Sequence, residues 1–281
     1  MPSGPQWEQA LRDVALWVIE AGSRSPEGLA PIVQAGHPAL RAVATPYDAQ
    51  LSDDELTALL EVMHRTMRAA PGVGLAAPQL GLPLALAVLE DPGTVSDEHA
   101  EIREREPLPY RVLVNPRYTA VGEELAAFYE GCLSVVGYQA VVARARQVHL
   151  VAHDERGEAV DEIVSGWSAR IVQHEVDHLG GSLYLDRAEL RSLAASDEFG
   201  ARWAAEPSPV AASRALGFSL PRAQPWGRRW SDCGSDPGMI RGCTRDEPGV
   251  TPMSSGPRAV LPWSYDIGAL ARGARRRRMS P

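Results

Sequence analysis

The segment QHEVDHLGG, Gln173 to Gly181, constrains this 281-residue chain more than any other. His174 and His178 stand four residues apart, so on a 3.6-residue helix both imidazoles face the same way, one turn apart. Two ring nitrogens in that relation suit a single cation. Glu175 between them supplies a carboxylate able to act as general acid and base toward a water activated by that cation. Helices also carry histidine pairs at this spacing as solvated or core groups, so a metal site needs a third ligand. The spacing predicts a helix over Gly166 to Leu179, closed by Gly180 and Gly181.

Three cysteines are present, and Cys132, in EGCLS from Glu130 to Ser134, is the best third ligand. Cys233 and Cys243 lie in a Pro/Gly/Arg-rich tail with no comparable setting. Most free cysteines are small buried hydrophobes. Against that, Gly131 lets the backbone come close, and a polar Ser134 follows rather than more core. Two histidines and a thiolate leave one tetrahedral position open, which separates a catalytic site from a closed structural one. A further segment, GVGLAAPQ from Gly72 to Gln79, spaces two glycines by one residue, which allows close backbone approach to a ligand, and ends on the neutral amide of Gln79. By itself that segment is as readily an ordinary helix-to-strand turn.

Taken in this order, GVGLAAPQ, EGCLS and QHEVDHLGG resemble the motifs of peptide deformylase. The resemblance extends over about Ile32 to Leu220. GWSARIVQHEVDHLGGSLYLDR, Gly166 to Arg187, is similar to that family's metal helix and its exit, and IVQAGHPALRAVATPYD, Ile32 to Asp48, to its opening strand and turn. The resemblance implies a hydrolase that removes the N-terminal formyl group from formylmethionine of newly synthesised polypeptides and releases formate. Cys132, His174 and His178 would hold one divalent ion. The ligand types alone suit zinc, whereas the resemblance implies Fe²⁺, with Zn²⁺, Ni²⁺ or Co²⁺ able to take its place. Glu175 would move the protons, and the Gln79 amide and the Leu133 backbone N–H would stabilise the developing oxyanion. For the methionine side chain the candidates by position are Val73, Trp167 and Ile171, with the Gly74 backbone aligning the peptide strand-wise. Trp167 and Arg170 depart from the all-apolar version of their segment. Gln173 or Asp177 is expected to orient an imidazole or to pair with Arg170.

The remaining chain fits one catalytic domain with appendages. An amphipathic stretch from Glu8 to Glu20 predicts a helical extension within residues 1–30, ahead of a catalytic domain over 31–220. Ser52 with Glu55 is a capping-box signature, and Leu56, Leu59, Leu60, Met63 and Met67 continue that helix to about Ala70. Strands are expected over Leu84 to Leu89, Tyr110 to Asn115, Ala126 to Tyr129, Val141 to Ala152 and Ala159 to Val164, with a turn at Asp154 to Gly157 and a polar loop from Asp91 to Glu106. The expected class is α+β, mostly antiparallel strands packed around a central metal-binding helix, followed by a disordered C-terminal tail over 221–281.

Charge and composition exclude several functions. The net charge is −8, every basic residue is arginine, and acids outnumber arginines through residue 206 while arginines dominate beyond it. An acidic body does not bind DNA directly, because phosphate contacts need clustered positive charge. The arginine run Arg275 to Arg278, with Trp226, Trp230 and Trp263, leaves an RNA or ribosome contact open beside the simpler solvated tail. The longest apolar run, Leu82 to Leu89, is too short to cross a bilayer, and Glu8, Arg12 and Asp13 break up the N-terminal apolar residues. With few cysteines, a cytoplasmic location is expected. A zinc peptidase shares the histidine pair but takes its third ligand downstream, where this chain has no histidine. The other rival is an idle homologue that only binds.

Overall fold

In the computed structural model, which describes residues 4–221, the signature at Ser52 and Glu55 opens helix α2, Asp53–Ala69. The Ser52 hydroxyl accepts from the Glu55 N–H at 3.3 Å, and the Glu55 carboxylate accepts from the Ser52 N–H at 2.9 Å, satisfying two donors that a helix start leaves without partners. The predicted stripe from Leu56 to Met67 is buried. Against it lies α1, Pro5–Arg24, longer at both ends than the expected Glu8 to Glu20. Its Leu11, Val14, Ala15 and Val18 share one apolar cluster with α2, so this helix is part of the core packing.

Strands form two antiparallel sheets. The larger has the order β1 (Gly74–Ala76), β2 (Leu86–Asp91), β3 (Leu108–Ala120), β6 (Gln147–His153), β7 (Ala159–Ser165). The smaller joins β4 (Leu125–Cys132), β5 (Val135–Ala145) and β8 (Ala188–Ala195). Helix α4, Gly166–Leu179, has the predicted limits and packs against strands of both sheets. The architecture is the expected α+β class, with antiparallel strands around one central helix.

Three local expectations differ from the structure. Val141 to Ala152 is two strands, since the chain leaves the smaller sheet at Arg146 and enters the larger one; the apolar alternation runs through this crossing without a mark. The polar stretch Asp91 to Glu106 contains a short helix, α3, Asp97–Arg103, capped by the Ser96 hydroxyl. Ile32 to Asp48 forms a 3-10 turn at Pro38–Arg41 and a single bridge from Thr45 to Leu84 rather than a strand. Its backbone is held across elements, with Val33 N donating to Gln79 O at 2.8 Å and Ala35 N to Ser134 O at 2.7 Å. Finally, β8 and the short helices α5, Ser196–Arg202, and α6, Val210–Leu216, carry no expectation from sequence.

The expected tail disorder and the proposed roles of Trp226, Trp230, Trp263 and Arg275 to Arg278 lie outside the described residues. Among the described residues no helix is long and apolar enough to cross a membrane.

Candidate metal centre

Helix α4 lays His174, Glu175 and His178 along one side, and β4 delivers Cys132 to the same place. One donor atom from each of Cys132, His174 and His178 lies within 4.8 Å of the others. The Cys132 Sγ is 3.3 Å from His178 Nε2, and the two imidazoles are 5.0 Å apart between ring centres. The sulfur also accepts from the Ser134 N–H at 3.4 Å and from the Gln79 Nε2 at 3.6 Å. All three ligands expected from the sequence therefore converge, as a sulfur and two nitrogens of a kind that a divalent transition metal takes.

Behind this cluster lies a network of buried charges. His174 Nδ1 lies 3.0 Å from Glu130 Oε2, so the acceptor that orients this ring is Glu130, not Gln173 or Asp177. Arg144 grips both oxygens of Glu130, at 2.6 and 2.9 Å, and reaches Asp177 with its third nitrogen at 2.8 Å. Arg170 also pairs with Glu130, and donates to Val142 O at 3.0 Å. Asp177 instead anchors the far side of α4, accepting from Tyr118 OH at 3.0 Å and from Arg187. Gln173 is spent on backbone, donating to Ala145 O at 2.8 Å and to Ala169 O. A signal for Glu130 was available: it stands two residues before Cys132, and alternate residues of a strand share a face. Arg144 had no comparable signal, because its two partners, Glu130 and Asp177, come from separate elements, β4 and α4.

Burial opposes charge at Glu130, yet Arg144 and Arg170 outweigh it and hold the carboxyl well below the usual range. Burial likewise opposes a charged His174, but hydrogen bonds to Cys132 and Glu130 prevail and raise this imidazole to about 10. The same local negative field favours a metal cation. His178 goes the other way, since burial and then the neighbouring His174 and Arg144 keep it neutral. Burial pushes the Glu175 carboxyl up to about 7, and its Oε2 is buried with no hydrogen-bond partner. A carboxyl held near neutrality beside three candidate metal ligands is of the kind that can move protons.

The glycines of the GVGLAAPQ segment admit neighbouring side chains. A Cβ on Gly74 would lie 2.6 Å from Glu175 Cδ and 2.7 Å from Cγ, and closer still to Oε1; one on Gly72 would lie 2.8 Å from Leu133 Cδ1. Gln79 is fixed because its Oε1 accepts from the Ala76 N–H at 2.8 Å, which turns the amide nitrogen toward Cys132. Leu133 is held through its carbonyl, which accepts from Gln34 Nε2 at 3.0 Å.

A cavity of about 370 Å³ opens beside the cluster. Val73, Gly74, Gln79, Leu133, Trp167 and Ile171 all line it, together with Cys132, His174 and Glu175. His178 is not in the lining and lies behind the cavity, 1% exposed. Beyond these, the wall includes Arg170, Tyr129 and Tyr138, which the sequence did not mark as site residues.

A family model described as polypeptide deformylase matches residues 29–193. Peptide deformylase 3 of Streptomyces avermitilis is 59% identical over 194 residues, spanning 69% of this chain and 86% of that protein. The mitochondrial peptide deformylase of Homo sapiens is 42% identical over 167 residues, 58% of this chain and 69% of the other. Among solved structures, a Met-Ala-Ser-bound class I type b peptide deformylase from Acinetobacter baumannii aligns with a TM-score of 0.51 at 34% identity, covering 57% of this chain and 98% of that one.

Proposed function

Because the chain belongs to the polypeptide deformylase family, and so removes the formyl group from N-terminal formylmethionine of new polypeptides with release of formate, we propose a specific division of labour among its residues. Cys132, His174 and His178 hold one divalent ion, Fe²⁺ in its working form, which Zn²⁺, Ni²⁺ or Co²⁺ can replace. Such an ion supplies Lewis-acid charge, lowering the pKa of a water and polarising a carbonyl.

Glu175 accepts the proton of the attacking water and returns it to the leaving α-amine, so that formate and a free N-terminus result. The unpartnered Glu175 Oε2 supports this role, since it has no other hydrogen bond to give up. Gln79 Nε2 and the Leu133 N–H donate to the oxygen on which charge builds. Glu130, gripped by two arginines, fixes the His174 ring and leaves its other nitrogen for the ion. Val73, Trp167 and Ile171 bound the space for the methionine side chain, and the Gly74 backbone aligns the peptide. The observation that carries this assignment is the meeting of one sulfur and two imidazoles beside a buried carboxyl raised to about 7. A cytoplasmic enzyme acting on chains as they leave the ribosome fits the sparse cysteine usage.

The test is formate release from formyl-Met-Ala-Ser under anaerobic conditions, with and without added Fe²⁺ or Ni²⁺. Turnover should depend on the ion and fall about 10²–10⁴-fold in Glu175→Gln with metal content unchanged. Near-normal turnover in that variant would remove Glu175 from the proton-transfer role. Activity undiminished by aerobic purification would argue for zinc over iron.

A further inference from the structure

Trp167 stands in the first turn of α4, at the cavity wall, and its surroundings are unusual. Three guanidinium groups lie over its ring, those of Arg103 and Arg105 at 5.4 Å and that of Arg170 at 5.6 Å from the ring centre. Phe128 meets the indole edge to face at 5.9 Å, and itself carries Arg170 at 5.2 Å and Arg103 at 5.9 Å. Each cation is separately tied down. Arg105 makes a two-bond pair, at 2.8 and 2.9 Å, with Asp91, which is 1% exposed. Arg170 is bound to Glu130. Arg103 donates to two backbone oxygens, Pro207 O at 3.1 Å and Glu206 O at 3.3 Å.

Backbone contacts join the same parts. The Trp167 N–H, which a helix start leaves without a partner inside the helix, donates to Glu104 O at 3.1 Å. A Cβ on Gly166 would lie 2.7 Å from the Glu104 Cβ, so the α3 exit is pressed against the α4 entry. The indole therefore cannot turn without disturbing α3 and the segment before α6.

We propose that Arg103 and Arg105 are specificity-determining positioning residues, which clamp the Trp167 indole and thereby set the depth of the cavity that receives the substrate's first side chain. This rests on the assignment of Trp167 to the methionine pocket. Neither arginine lines the cavity, so each acts through the ring. Cations over an indole face are attracted by its negative quadrupole, and more strongly where water is excluded. Desolvation lowers Arg103 to about 10, and its like-charged neighbours Arg105 and Arg170 add to this, consistent with a cation held close to its ring by packing. With the clamp loosened, the indole swings and a long side chain loses its wall, whereas a short one never reached it.

The test compares formyl-Met-Ala-Ser with formyl-Ala-Ala-Ser on the metal-loaded enzyme. Arg103→Met is the first variant, because it strands no buried carboxylate. KM for the methionyl substrate should rise roughly 5- to 30-fold while its kcat stays within about twofold, and KM for the alanyl substrate should not move. Arg103→Lys, which keeps a cation over the ring, should recover much of the difference. Equal rises for both substrates, no rise for either, or no recovery with lysine would each overturn the proposal. Should Arg103→Met fold poorly, Arg105→Lys and Trp167→Phe with their double variant serve instead. The KM effects should be non-additive, because both changes act through one contact, and additive effects would refute the clamp. Absence of formate release from either substrate by the unmodified, metal-loaded enzyme would count against the deformylase assignment itself, and a change in the KM ratio alone bears on the clamp.

Discussion

Gly74→Ala is the smallest change that tests how the proton-transfer group is held. The added Cβ would lie 2.6 Å from Glu175 Cδ and 2.7 Å from Cγ, where ordinary contact between such atoms is about 3.5–4.0 Å, so the carboxylate arm must shift by close to 1 Å. Neither side gives readily. Gly74 is paired with Leu89 in β1 and β2, and Glu175 lies between two proposed ligands on the central helix, 4% exposed. A displacement of about 1 Å in a catalytic group typically costs on the order of 10²-fold in rate. Formate release from formyl-Met-Ala-Ser should therefore fall about 10²-fold in kcat, with metal content and thermal midpoint close to those of the unmodified protein. A variant that retains full turnover would show that Glu175 shifts freely. A variant that loses its metal would show that the collision is relieved through the histidines, and either result would refute the reasoning.

Glu130→Gln removes the charge that neutralises Arg144 and Arg170 and the acceptor of His174; it should cost about 3–5 kcal/mol in chemical denaturation and lower metal affinity roughly 10–100-fold by competition with a chelator. Gly181→Ala should lower stability by about 1–3 kcal/mol, measured by thermal unfolding, because φ is +75° there and the new Cβ would lie 2.7 Å from Arg41 O. Glu55 gives a pH dependence. The Arg12 guanidinium first, then the Ser52 N–H, hold its carboxyl down at about 2 against an ordinary value of 4.5. The stabilisation is present above the unfolded value and is lost as pH falls from about 5 toward 2. Acid unfolding of Glu55→Gln followed by circular dichroism should lack that part of the slope, and an identical pH profile would contradict the assignment.

What could be read from sequence was local. The limits of α4 followed from a histidine pair, an apolar period and two closing glycines, and the start of α2 from Ser52 and Glu55, because helix geometry links residues three and four apart. The three candidate ligands followed from the chemistry of few possibilities, since Cys233 and Cys243 lie in a Pro/Gly/Arg-rich tail and only Cys132 has a setting suited to a ligand. Strand limits were harder. The crossing at Arg146 leaves the apolar alternation intact, and β8, AELRSLAA, has no strict alternation to mark a strand.

The sequence by itself determined which side chains stand together on one helix face, because that depends on backbone geometry over a few residues. Tertiary structure alone decided that Arg144 and Arg170 converge on Glu130, that Glu130 rather than Asp177 orients His174, and that Arg103 and Arg105 close over Trp167. The contacts at Glu130 join residues from 14 positions apart, for Arg144, to 40 and 44, for Arg170 and His174, in different parts of the chain. Whether a buried charge finds its counter-charge depends on how the sheets and α4 pack, which no local pattern encodes.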